Sequence, residues 1–178
     1  ELSRRFADIV SSILFTVSPT ATSNVSWLSM FGKKIIETGN TVIDSVTDIL
    51  EHGDMPDHDA PYGIVTLHRH ENIATKRRLE KIVSILENSP RPLLFPMHDN
   101  TREALKEFDL YEQVAESDDI TIMDLVDYPD FLHLLKNADI IYTDGGSIQE
   151  ESIIFDVPCV ILRKRTERKE GLETGIQV

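Results

Sequence analysis

Cysteine is almost absent. The 178 residues include one, Cys159, so no disulfide can form within the chain. Its place in the apolar run Val157 to Leu162 reads as a small buried hydrophobe in a reducing compartment. Long hydrophobic runs are missing too: no stretch approaches the ~20 apolar residues of a membrane span, and the first residues lack the basic-then-apolar start of a signal peptide. A soluble, cytoplasmic protein without membrane contact is expected. Basic residues are scarce, 18 Lys and Arg against 31 Asp and Glu, and the net charge of −13 argues against nucleic acid as a partner. An initiator methionine is missing as well. The chain opens on Glu1 within a helical pattern and stops at Val178 with no closing element, which reads as a piece of a longer polypeptide.

What is present is organised around Asp139 to Glu151. A short β-branched run, Ile140 to Thr143, breaks at Asp144-Gly145-Gly146-Ser147, and Ile148, Ser152 and Phe155 then recur at roughly helical spacing. Ser147 is the expected N-cap, with Glu150 three residues on completing a capping box. Strand, glycine turn and helix start in succession aim unpaired backbone N–H groups and a helix dipole at one point, which suits a phosphate. Gly-Gly after a strand is equally an ordinary βα turn, so the surroundings must decide.

Those surroundings alternate. A helix over residues 1–12, a short buried strand at Ile13 to Val17, a turn at Ser18 to Thr20, a helix over Thr22 to Met30 and a strand at Lys34 to Glu37 come first. Thr38 to Thr41 is a turn before a helix through Val42, Ile43, Val46 and Ile49. His52 to Asp59 is a polar loop; its two histidines and its aspartates match no metal-ligand spacing, and it reads as solvated. From Tyr62, strands at Gly63 to Leu67, Leu93 to Met97, Ile120 to Met123, Ile140 to Thr143 and Pro158 to Leu162 alternate with helices at Thr75 to Glu87, Thr101 to Phe108, Pro129 to Asn137 and Ile148 to Phe155. Such alternation implies an α/β fold, a Rossmann-like parallel sheet with helices on both faces. Sites in that architecture lie beyond the carboxyl ends of the strands. There stand His68 to Asn72, His98, Asp124, Asp144 to Ser147 and the cationic cluster Arg163, Lys164, Arg165, Arg168 and Lys169. Histidines and arginines converging on one rim suit an anionic ligand, although a charge run is equally a solvated face.

Five segments in order, Thr38 to Asp44, Thr66 to Asn72, Tyr128 to Ala138, Thr143 to Glu151 and Thr166 to Arg168, resemble the UDP-N-acetylglucosamine 2-epimerase family across nearly the whole chain. The resemblance implies one domain of a glycosyltransferase-B type two-domain fold. Residues 1–38 would be the end of an N-terminal Rossmann-like domain, and residues 39–178 the C-terminal UDP-binding domain without its final helix. It further implies interconversion of UDP-GlcNAc and UDP-ManNAc through UDP elimination and re-addition, with no cofactor, no metal and a homodimer for the full-length protein. A base and an acid on opposite faces of the sugar and a donor-rich seat for the departing diphosphate are what that chemistry demands.

By position, the resemblance makes His68 a catalytic group near the diphosphate, able to change charge near neutral pH. Glu1 corresponds to a candidate acid or base, although Ser3 stands where the family usually has Asn. Gly145, Gly146 and Ser147 correspond to the phosphate-binding turn; the family's common Thr-Asp-Ser-Gly-Gly is here Thr143-Asp144-Gly145-Gly146-Ser147, displacing the hydroxyl by two positions. Glu151 would accept from the ribose diol, its alternative being a solvent-facing helix glutamate. Phe131 would lie against uracil or in the core. Arg168 would pair with phosphate, and His98 would line the cleft or be structural. Three other outcomes remain open: a hydrolysing relative that releases ManNAc, a UDP-sugar glycosyltransferase, and a UDP-binding module without catalysis. The chain alone is expected to be inactive.

Overall fold

The computed structural model describes residues 2–52, 61–166, 172 and 175–178. The chain divides into two compact units, Glu1–Asp48 and Ile49–Val178. Among the described residues no helix is long and apolar enough to cross a membrane.

The first unit opens with helix α1 (Leu2–Val10), whose apolar residues Leu2, Phe6, Ile9 and Val10 are all exposed. Strands β1 (Ile13–Thr16) and β2 (Lys34–Glu37) pair in parallel, Ile13 opposite Lys34 and Thr16 opposite Glu37. The expectation of a buried strand at Ile13 to Val17 is corrected here. Only Leu14 and Thr16 are covered, while Ile13, Phe15 and Val17 are exposed, because successive side chains face opposite sides and one side has no cover within this unit.

Helix α2 (Pro19–Val25) starts earlier than the pattern suggested. Ser18 caps it, its hydroxyl accepting from the Ala21 amide at 3.2 Å, and Pro19 occupies the first helical position, where a missing N–H costs nothing. The helix then tightens into a 3₁₀ segment, Ser26–Phe31, ended by Gly32 at φ 74°. The single helix expected over Thr22 to Met30 is therefore two pieces. Helix α3 (Thr41–His52) follows Asn40, whose side-chain oxygen accepts from the Val42 amide at 3.1 Å.

The second unit is the alternating α/β domain expected from Tyr62 onward. Its elements are β3 (Gly63–Thr66), α4 (His70–Ile73), α5 (Lys76–Glu87), β4 (Leu93–Pro96), α6 (Asp99–Glu107), α7 (Tyr111–Ala115), β5 (Ile120–Met123), α8 (Tyr128–Lys136), β6 (Ile140–Thr143), α9 (Gly146–Phe155) and β7 (Cys159–Ile161). The two short helices α4 and α7 fall in stretches to which the sequence assigned no helix or strand, being too brief to show a period. All five strands are parallel, in the order β5-β4-β3-β6-β7. The chain walks outward from β3 through β4 to β5, returns to place β6 on the other side of β3, and continues to β7. The reversal lies between β3 and β6, the position at which open α/β sheets bind ligands.

Packing fixes that pair. Gly63 opens β3 because a methyl group there would meet Ile140 Cγ2 and Leu93 Cδ2 at 2.8 Å each. Every residue of β3 is buried, as a central parallel strand requires. Leu79, Ile82, Val83 and Leu86 of α5 share one buried cluster with Val65 and Phe95. Burial of each such side chain contributes roughly 1.5–3 kcal/mol. On α8, Leu132, Leu134 and Leu135 are buried, and the Tyr62 hydroxyl donates to the Leu134 carbonyl at 2.9 Å. Burial pushes the Tyr62 phenol up to about 12.

Candidate functional site

The carboxyl ends of β3 and β6 are knitted together by side chains. The Thr66 and Thr143 hydroxyls lie 2.6 Å apart, and the Asp144 amide donates to the Thr66 carbonyl at 3.2 Å. The Asp144 side chain is fully buried and holds the turn that follows β3. Its carboxylate accepts from the His68 amide (3.1 and 3.2 Å), from the Arg69 amide (2.8 Å) and from the Asn72 side-chain nitrogen (2.9 Å). The His68 ring nitrogen Nδ1 lies 3.2 Å from Asp144 Oδ1. A buried carboxylate demands this many donors. Asn72 also donates to the Leu162 carbonyl at 2.8 Å, and Arg78 donates to Asn72 Oδ1 and to the same carbonyl, so the end of β7 joins the network.

The glycine turn differs in one respect from its expected form. Helix α9 begins at Gly146 with Gly145 as its N-cap, and Ser147 is exposed within the first turn. Ser147 is therefore not the cap, and no capping box forms with Glu150. The reason is local: the Thr143 hydroxyl accepts from the Gly145 amide at 2.8 Å, which closes the turn two residues sooner. The amides of Gly146, Ser147 and Ile148 then stand in the first turn, where helix geometry gives them no intrahelical acceptor. Gln149, fully buried, ties this turn down: its amide nitrogen donates to the Gly145 carbonyl at 3.0 Å and its oxygen accepts from Thr166 at 2.6 Å.

Glu151 is 1% exposed, which excludes the solvent-facing alternative. One carboxylate oxygen, Oε1, accepts from the Tyr128 hydroxyl at 2.7 Å. The other, Oε2, is buried with no hydrogen-bond partner among the described residues. Burial pushes the Glu151 carboxyl above the ordinary carboxylate range, while the Tyr128 bond pulls the other way and the Glu150 charge adds a further upward push. The Tyr128 phenol is pushed upward, by burial first and by Glu151 second.

Tyr128 also lines a cavity of about 280 Å³ together with Thr66, His68, His98, Phe131 and Ile148. Two of these, His68 and His98, are residues that the sequence placed at the strand ends, and Phe131 is one that the resemblance placed against uracil or in the core. Phe131 is half-buried at the cavity wall rather than deep in the core. The His98 ring caps α6, its Nδ1 accepting from the Asn100 amide at 3.1 Å, and its centroid lies 6.4 Å from that of His68. Arg69 contributes its amide to Asp144, and its side-chain Nε is buried without a hydrogen-bond partner among the described residues. Glu1 and Arg168 lie outside the described residues, as does most of the loop at His52 to Asp59. Among the described residues no group of three His, Cys, Asp or Glu is placed to hold a metal ion.

Four participants received no role of their own from the sequence: Tyr128, Asn72, Arg78 and Gln149. Tyr128, Asn72 and Gln149 fall within segments that carry the resemblance, and Asn72 also among the polar residues at the strand ends, whereas Arg78 left no signal. Their contacts reach residues far along the chain, which no local pattern records.

The chain is similar to known proteins along its whole length. A family model described as UDP-N-acetylglucosamine 2-epimerase matches residues 1–178. A UDP-N-acetylglucosamine 2-epimerase of Methanocaldococcus jannaschii is 35% identical over all of this chain, which covers 52% of that protein. A UDP-2,3-diacetamido-2,3-dideoxy-D-glucuronate 2-epimerase of Pseudomonas aeruginosa is 30% identical, again over the whole chain and 51% of the relative. A crystal structure of the M. jannaschii enzyme in complex with UDP-GlcNAc and UDP superposes with a TM-score of 0.86 at 35% identity, covering 99% of this chain and 52% of that one. The chain spans about half the length of the curated relatives it matches.

Proposed function

The chain belongs to the UDP-N-acetylglucosamine 2-epimerase family, and from that footing we propose that it forms part of an enzyme interconverting UDP-GlcNAc and UDP-ManNAc. In this reading residues 39–178 form the UDP-binding domain of a glycosyltransferase-B type protein, and residues 1–38 end the domain before it. The observation that carries the reading is Glu151. A buried carboxylate with one oxygen unpartnered is costly to keep, by about 1–3 kcal/mol or more for a charged group. It stands on the same helix as the open amides of Gly146 and Ser147. Diol acceptor and phosphate donors on adjoining turns match the two polar ends of a nucleoside diphosphate.

The parts then divide the work. Gly146 and Ser147 present amides to the diphosphate. Gly145, whose own N–H is engaged, leaves room, since a methyl there would sit 3.0 Å from Ile148 Cδ1 and 3.2 Å from Thr143 Oγ1. Glu151 takes the ribose hydroxyls. Phe131 offers an apolar wall to the uracil. His68, at the same cavity, exchanges a proton with the leaving diphosphate as the C2 proton is removed and UDP departs; re-addition after protonation on the other face gives the epimer. Arg168 and Glu1 keep the roles their motifs imply, a phosphate partner and a candidate acid or base. A full-length homodimer working in the cytoplasm on precursors of cell-surface polysaccharide completes the reading.

Calorimetric titration of UDP into the chain tests it. Wild type is expected to bind, and Glu151→Gln and Arg168→Ala are each expected to lose roughly 1.5–3 kcal/mol, the range for hydrogen bonds to charged groups. Unchanged affinity in Glu151→Gln would sink the ribose assignment.

A further inference from the structure

The two histidines at the cavity are held by different nitrogens' surroundings. His68 turns Nδ1 toward a carboxylate oxygen of Asp144 at 3.2 Å, an acceptor only. His98 turns Nδ1 toward the Asn100 amide at 3.1 Å, a donor only. A neutral imidazole carries one N–H, and the neighbour of one nitrogen decides where it sits. We propose that Asp144 and the cap of α6 set these histidines in opposite tautomers, His68 protonated on Nδ1 and His98 on Nε2.

The consequence concerns the nitrogen left for a ligand, which is Nε2 in both rings. Neutral His98 presents a donor, Nε2–H, suited to a phosphoryl oxygen. Neutral His68 presents an acceptor, and any proton it takes or gives moves at Nε2, while Asp144 keeps Nδ1–H occupied. Asp144 is thus a positioning residue for His68. Three hydrogen bonds support that role: the carboxylate accepts from the His68 amide, the Arg69 amide and the Asn72 side chain, which hold its oxygens in place beside the ring. For its ligand the inference rests on the proposed nucleotide-sugar reading; the tautomers themselves do not.

Long-range ¹H–¹⁵N correlation spectra of the whole chain, at a pH where the imidazoles are neutral, test it. His68→Gln and His98→Gln identify the two rings among the six histidines. His68 is expected to show the protonated-nitrogen shift at Nδ1 and His98 to show it at Nε2. Both rings protonated at Nε2, the commoner form of a free side chain, would overturn the proposal. In Asp144→Ala, which removes the acceptor, the two nitrogen shifts of His68 are expected to exchange while those of His98 stay. A folded Asp144→Ala with His68 unaltered would also overturn it, and if that variant does not fold the wild-type spectrum decides alone. Addition of UDP is expected to move both Nε2 resonances; opposite tautomers that ignore UDP would overturn the ligand reading and leave the tautomer assignment standing.

Discussion

Glu151 sets stability against function. Its carboxyl lies above the ordinary range in the folded chain because it is buried. An acid whose folded value exceeds its unfolded one, about 4.3 for glutamate, binds more protons folded than unfolded between the two values. Stability therefore falls as pH rises through that window, and the loss persists above it. Glu151→Gln is expected to melt higher than wild type at neutral pH, by an amount that shrinks as the pH is lowered through the window, while binding UDP more weakly. Thermal unfolding at several pH values checks the first part; a variant no more stable than wild type at pH 7 would contradict the cost assigned to the orphan oxygen. The sequence could name Glu151, which lies in a motif, but not its cost. Both Tyr128, which meets one oxygen, and the absence of a partner for the other depend on α8 packing beside α9, a contact across 23 residues.

At the scale of elements, the strand ends are joined by buried polar bonds rather than by apolar packing alone. Asn72 bridges Asp144 and the Leu162 carbonyl, linking the ends of β3, β6 and β7. Asn72→Ala leaves both acceptors a donor short and is expected to cost about 1–3 kcal/mol, read from urea unfolding. A smaller cost than this range would mean that Arg78, which already reaches Leu162, takes over. Gly145→Ala is expected to cost a similar ~1–3 kcal/mol by overpacking against Ile148 and Thr143, and to weaken UDP binding by shifting the start of α9. The succession of strands and helices was legible because hydrophobic period is a local property. Where the reading failed, tertiary contacts or side-chain competition decided. Thr143 took the Gly145 amide and displaced the cap from Ser147. Ser18 and Pro19 started α2 within an apparent turn. Exposed Phe15 lies in a strand whose apolar residues predicted burial, since a run of apolar residues states what a strand can bury and not what covers it.

Over the whole molecule, the two units differ in what they can hold by themselves. Glu1–Asp48 contains a two-stranded sheet, and Ile49–Val178 a five-stranded one. Two-stranded sheets are marginal on their own. Amides of β1 and β2 are expected to exchange with solvent at lower free energy than those of β3, β4 and β6, measured by hydrogen exchange; equal protection in both units would contradict this. The chain spans about half the length of its relatives, and the 178 residues are expected to bind UDP without turning over UDP-GlcNAc. The one thiol lends the larger unit a clock. Cys159 sits in β7, 1% exposed, with burial pushing its thiol up to about 11, and its backbone bonded to Ile176 and Val178. A thiol reagent meets it only when β7 opens, so the rate of a single covalent event, followed with and without UDP, counts how often that edge of the sheet comes apart.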